Sequence, residues 1–145
     1  MTARLIPSTV SSALTAVLCA LTIAVAFFGS AAPASAQANP FILGTWKLVW
    51  EGARDNYTGD LRVAGKTGDT VFKGKLTLVK SDGTKVTEDA SITVTGNEVR
   101  IECSNPSVTP WNPDRFYVVR KGNRLEGYSL DTAGQRGRKI VFTKT

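Results

Sequence analysis

The chain has 145 residues, with 18 Lys and Arg against 12 Asp and Glu, two cysteines and no histidine. Without histidine there is no Ser–His or Cys–His dyad and no histidine-ligated zinc, so conventional catalysis is left to carboxylates, lysine or tyrosine. The surplus of positive charge favours anionic partners at the surface.

Residues 1–36 are expected to be a cleaved secretory signal. Arg4 stands near the start, an apolar run extends from about Ala13 to Phe28, and Ala34, Ser35 and Ala36 form an A-x-A cleavage site. The run is shorter than the ~20 apolar residues of a membrane span. Leu18 and the apolar residues after Cys19 do not suit a lipid-modified terminus. The mature chain is therefore predicted to begin at Gln37, to lack a membrane span, and to be exported to a periplasmic or extracellular compartment. Residues 37–145 are long enough for one domain, and their side-chain charge is +5. Cys103 is the only cysteine there, which excludes an intrachain disulfide.

Beyond Gln37 the apolar residues recur with period 2, in short runs bounded by Gly, Asn and Asp. "TWKLVW" puts Trp46, Leu48 and Trp50 on one face, and "YTGDLRV" does the same with Tyr57, Gly59, Leu61 and Val63. "VFKGKLTLV" aligns Phe72, Gly74, Leu76 and Leu78, while "VTEDASITV" aligns Val86, Ala90, Ile92 and Val94 with Glu88 among them. "EVRIEC" follows with Val99, Ile101 and Cys103, and then come "RFYVVR", "RLEGYSL" and "RKIVFT". "SDGT", "TGN" and "KGN" supply the positive-φ residues of tight hairpins. The pattern predicts an all-β fold, an antiparallel up-and-down meander of about eight strands closed into a barrel.

Three short motifs carry a family resemblance. "GTW" at Gly44 to Trp46 opens the first strand, Arg138 and Lys139 lie on the last, and "NPDRFYVV" precedes the later strands. With these the chain resembles the calycins, the avidin- and lipocalin-type ligand-binding barrels. The resemblance implies an eight-stranded barrel and a basic side chain from the final strand set against Trp46. The polar biotin-binding residues of avidins have no counterpart here.

In a meander, successive connections alternate between the two barrel ends. One end then collects the longer loops, with Arg54, Trp111, Arg136 and Arg138. Such mouths are favoured ligand sites. Pro106, Pro110 and Pro113 stiffen the longest loop, "CSNPSVTPWNPDRF", around Trp111. Two readings of Trp111 stand side by side: a hydrophobic plug, or a ligand contact. Glu88 and Arg138 are charged residues on inward faces, which calls for a structural pair or a place near the rim. Cys103 reads as a small core residue. The glycines on the inward faces are expected to leave room for a shallow pocket.

The candidate ligand-binding set is therefore Trp111, Arg136, Arg54, Arg138, Glu88 and Trp50, with no catalytic, metal or cofactor residues. The expected function is non-catalytic binding of a small apolar or anionic ligand at the mouth. Glu88 has no evident acid–base partner, which places an enzyme last. The alternatives are a protein-binding module, such as a secreted protease inhibitor acting through "QANPFIL", and a cell-envelope structural protein. "RKGNR" and "QRGRK" fall at opposite ends with Glu126 and Asp131 between them, so no nucleic-acid partner is expected. "NYT" from Asn56 is a glycosylation sequon.

Overall fold

A computed structural model describes residues 40–51 and 55–145. The signal segment, Gln37 and Arg54 lie outside the described residues. A 3₁₀ turn, Pro40–Ile42, precedes eight strands: β1 Gly44–Glu51, β2 Asn56–Lys66, β3 Val71–Lys80, β4 Lys85–Thr95, β5 Glu98–Ser104, β6 Arg115–Lys121, β7 Arg124–Leu130 and β8 Arg136–Lys144. Each strand pairs antiparallel with its neighbours in sequence, and β8 returns to pair with β1. The barrel is closed, so no described strand offers an unpaired edge.

The alternation read from the sequence sets which side chains point inward. Trp46, Phe72, Phe116 and Phe142 are fully buried, together with Leu48, Leu61, Leu76, Leu78, Ile92, Ile101 and Leu125. These side chains fill the interior. The inward glycines do not leave the shallow pocket expected from the sequence; the backbone of the neighbouring strand occupies the room. A Cβ on Gly127 would stand 2.0 Å from the Tyr117 carbonyl oxygen and 2.7 Å from Val118 Cα.

One end is closed by the 3₁₀ turn. Ile42 is fully buried there, and its carbonyl accepts a hydrogen bond of 2.8 Å from the Trp46 indole. Lys144 donates to the Phe41 carbonyl at 2.6 Å and lies 5.5 Å from the Trp46 ring centroid. The last strand does set a basic side chain against Trp46, but it is Lys144 rather than Arg138 or Lys139. The reason is register: Trp46 is opposite Lys144, whereas Arg138 and Lys139 lie at the other end of β8. Arg120 covers the remaining side of Phe41, 4.1 Å from its centroid.

A bulge re-aims the start of β8. Tyr128 pairs with Lys139 and Leu130 with Arg136, so Ser129 alone faces the two residues Gly137 and Arg138. The Ser129 hydroxyl accepts from the Arg138 backbone N–H at 3.1 Å. The extra residue shifts the alternation by one. Arg138, read as inward from the period, is exposed, and Arg136 turns to the outer wall beside Tyr128.

Candidate functional site

The mouth is the end opposite the 3₁₀ turn, where residues 105–114 cross the barrel. This loop is held to β4 at several points. Ser107 donates its backbone N–H to the Thr87 carbonyl at 2.9 Å, and its hydroxyl accepts from the Thr87 N–H at 2.9 Å. Asn105, in a left-handed conformation at φ 53°, donates its side-chain amide to Asp89 at 3.1 Å. The Asp114 N–H reaches down to Glu88 Oε2 at 3.3 Å.

Trp111 is half-buried against the core. Its ring meets Tyr57 edge-to-face at 6.0 Å, and its indole N–H donates to Asp114 Oδ2 at 3.2 Å. Tyr57 in turn stacks on Trp50 at 4.7 Å, and Trp50 meets Phe116 edge-on at 5.4 Å. The mouth is thus covered by a continuous aromatic layer, with Trp111 at its outer edge.

Below this layer lie two carboxyl groups. Glu88 is buried on β4, at 1% exposure, facing inward as the alternation of that strand places it. Burial raises its pKa, against the Asp114 N–H and other donors that favour the charged form. Asp114 is pushed up to about 7, first by burial and then by the negative charge of Glu88; the Trp111 N–H offsets only part of this. Two neighbouring carboxyls under an apolar cover hold a proton that a solvated pair would release. The sequence reading missed Asp114 because it sits in an irregular segment with no period. Its one signal was its position, three residues after the loop tryptophan.

Among the described residues, two buried polar atoms in this region have no hydrogen-bond partner, Trp50 Nε1 and Glu88 Oε1, although the side chains of Cys103, Asp114 and Trp111 approach the Glu88 carboxyl. Such atoms are rare in folded proteins, because a lost hydrogen bond in a dry interior costs about 1–3 kcal/mol. Cys103 is buried alongside, and its thiol is pushed up from its ordinary range by burial and then by Glu88. An aromatic-disulfide reagent is expected to leave Cys103 untouched in the native protein and to label it fully after denaturation. Rapid native labelling would show that the loop opens freely to solvent.

The structure joins Trp111, Glu88 and Trp50 in one end of the barrel. It places Arg136 on the outer wall, 4.5 Å from the Tyr128 ring centroid, and leaves Arg138 exposed on the bulge. Arg54 lies outside the described residues. Among the described residues, no group of three or more acidic or cysteine side chains is placed to hold a metal ion.

The chain matches no protein-family model and no curated protein. Its similarities include solved structures of designed barrels. One is a de novo fluorescence-activating β-barrel, 22% identical, covering 72% of this chain and 94% of that one with a TM-score of 0.53. Another is the redesigned barrel mFAP1 bound to DFHBI, 14% identical, covering 74% and 96% with a TM-score of 0.60. A third, EF1p2_mFAP2b bound to DFHBI, is 10% identical and covers 77% of this chain and 99% of that one with a TM-score of 0.61. At these identities the likeness is one of fold alone. What the chain shares with them, and with the calycin plan, is the architecture of an eight-stranded antiparallel β-barrel.

Proposed function

We propose that this is a non-catalytic, exported binding protein that takes one small, largely apolar molecule at the mouth, beneath residues 105–114. The observation that carries the reading is the pair of buried atoms without partners, Trp50 Nε1 and Glu88 Oε1. A ligand that accepts from the indole and bonds to the Glu88 carboxyl satisfies both. The aromatic surfaces of Trp50, Tyr57 and Trp111 supply its apolar contacts. The filled interior keeps the ligand near the rim, so it is smaller than the cargo of a deep barrel. A redesigned barrel of similar fold is bound to the small molecule DFHBI, which supports small-ligand binding as the class of function.

An anionic ligand suits this end poorly, because two carboxyl groups lie beneath the loop and Arg136 is directed elsewhere. The same two groups are a carboxyl pair of the kind acid–base enzymes use. Here Trp111 covers them and the Asp114 backbone is bonded to Glu88, which favours a structural role. The inhibitor alternative loses support for a different reason. Phe41 and Ile42, part of the segment that would enter a protease cleft, are buried against the closed end.

Native mass spectrometry of the protein purified from its own source tests the reading. The expected spectrum shows a chain beginning at Gln37 with one small molecule retained. Trp50→Phe keeps the ring stack but removes the N–H, and is expected to weaken that molecule's binding by about tenfold, the equivalent of one buried hydrogen bond. Protein that emerges bare, or a retained molecule indifferent to Trp50→Phe, overturns the proposal.

A further inference from the structure

The outer wall of β5 to β8 carries an arrangement that the mouth does not use. Register places Arg100 opposite Tyr117, Tyr117 opposite Tyr128, and Tyr128 opposite Lys139, one row across four strands. The two tyrosine rings are 5.5 Å apart with their planes tilted by 34°. A guanidinium flanks each: Arg100 lies 5.9 Å from the Tyr117 centroid and Arg136 lies 4.5 Å from that of Tyr128. Arg136 reaches this row only because the β8 bulge turns it outward.

Beside the row is an open groove of ≈ 530 Å³, lined in part by Arg100, Glu102, Arg115, Tyr117, Tyr128 and Leu130. That volume suits a small organic molecule. Among the described residues, ion pairs engage Arg62, Lys66, Lys75, Lys80 and Lys121, and none engages Arg100, Arg115, Arg136 or Lys139. Arg115 is fixed by donating to the Asp131 carbonyl at 2.6 Å, which orients it within the wall. The carboxylates on neighbouring outward positions are Glu98 and Glu102 of β5 and Glu126 of β7, so the four cations outnumber them by one.

We propose that this groove is a second binding site, for an organic anion made of a flat ring bearing a phosphate, sulfate or carboxylate group. A guanidinium stacked on a tyrosine keeps its N–H edge free, and that edge matches the paired oxygens of such an anion. The tyrosines offer a surface on which the ring lies. The two halves of the ligand are both needed, because exposed single charges attract weakly in salt.

Adenosine 5′-monophosphate is a suitable probe, with adenosine and inorganic phosphate as its separated halves. Titration followed by NMR is expected to show the monophosphate binding at least about tenfold more tightly than either half at low salt. Shifts should fall on Tyr117 and Tyr128 and not on the indole N–H groups of Trp50 and Trp111. Arg100→Gln and Arg136→Gln are each expected to weaken it by about fivefold, and Lys85→Gln by less than about twofold, as a control on net charge. The two arginine side chains are outside the barrel, and an unchanged amide spectrum confirms that the fold persists. The proposal is overturned if the monophosphate binds no better than its halves, if both arginine variants keep full affinity, or if the shifts move to the indoles. Shifts at the indoles would put the probe at the mouth instead; the other outcomes leave the mouth reading untouched, and Trp50→Phe tests that reading separately.

Discussion

Lowering the pH from 8 to 5 is expected to stabilise the protein by about 2.5 kcal/mol through Asp114 alone. The sign follows from the raised pKa. The folded protein holds the Asp114 proton up to about pH 7, whereas the unfolded chain releases it near the ordinary carboxyl value of 3.8. In the window between those values the folded state binds more protons, so stability grows as the pH falls. The contribution is complete below about 3.8 and is lost as the pH rises through 7. Glu88 is shifted in the same direction by its burial and adds to the effect. Surface carboxylates that work oppositely, such as Glu126 beside Lys121, lose their benefit only at lower pH. Urea denaturation at pH 8, 7, 6 and 5 reads the slope. Asp114→Asn keeps an oxygen for the Trp111 indole and removes the Asp114 titration, so the variant's stability should change much less over this range, by the part that Glu88 supplies. A parent protein whose stability is equally flat would show that Asp114 titrates in solvent, with the loop lifted from the mouth.

Gly127→Ala is expected to cost at least about 3 kcal/mol, at or beyond the upper end of overpacking penalties. The added carbon collides with main-chain atoms of β6, which cannot rotate away as a side-chain tip does. Gly65→Ala provides the comparison. No heavy atom lies within 4 Å of a Cβ built there, and its change should stay within about 0.5 kcal/mol. Chemical denaturation of the two variants side by side checks the contrast. Equal effects would mean that the β6–β7 approach is looser than the geometry states.

Strand number, order and facing were legible in the sequence because each depends on a period of two and on turn residues, both local properties. Trp46, Leu61, Ile92 and Phe142 all point where the alternation predicts. What was not legible turns on single departures from that period. The bulge at Gly137 and Arg138 depends on a hydrogen bond to Ser129, a residue of another strand, and it moved Arg136 from the mouth to the outer wall. Gly127 reads as empty space until the path of β6 is known. Lys144 replaced Arg138 and Lys139 beside Trp46 because the β1–β8 register is fixed by closure of the whole barrel. At the candidate site, Trp111 and Glu88 were visible as exceptions to pattern and Trp50 as part of the alternating face, whereas Asp114 became meaningful only when the loop brought it over Glu88.

The seam between β1 and β8 has a kinetic consequence. Its contacts span about the whole domain, as in the bond from Lys144 to Phe41, 103 residues apart. Contacts so distant in sequence form late, since the loop-closure entropy must be met before they return any stabilisation. During synthesis and folding the β1–β7 sheet therefore exists before β8 completes it, with β1 and β7 both presenting bare main-chain donors and acceptors. In that interval β8 from a second molecule fits the gap as well as the chain's own. Strand exchange between copies, rather than unfolding of the finished barrel, is then the route by which this protein would aggregate at high concentration.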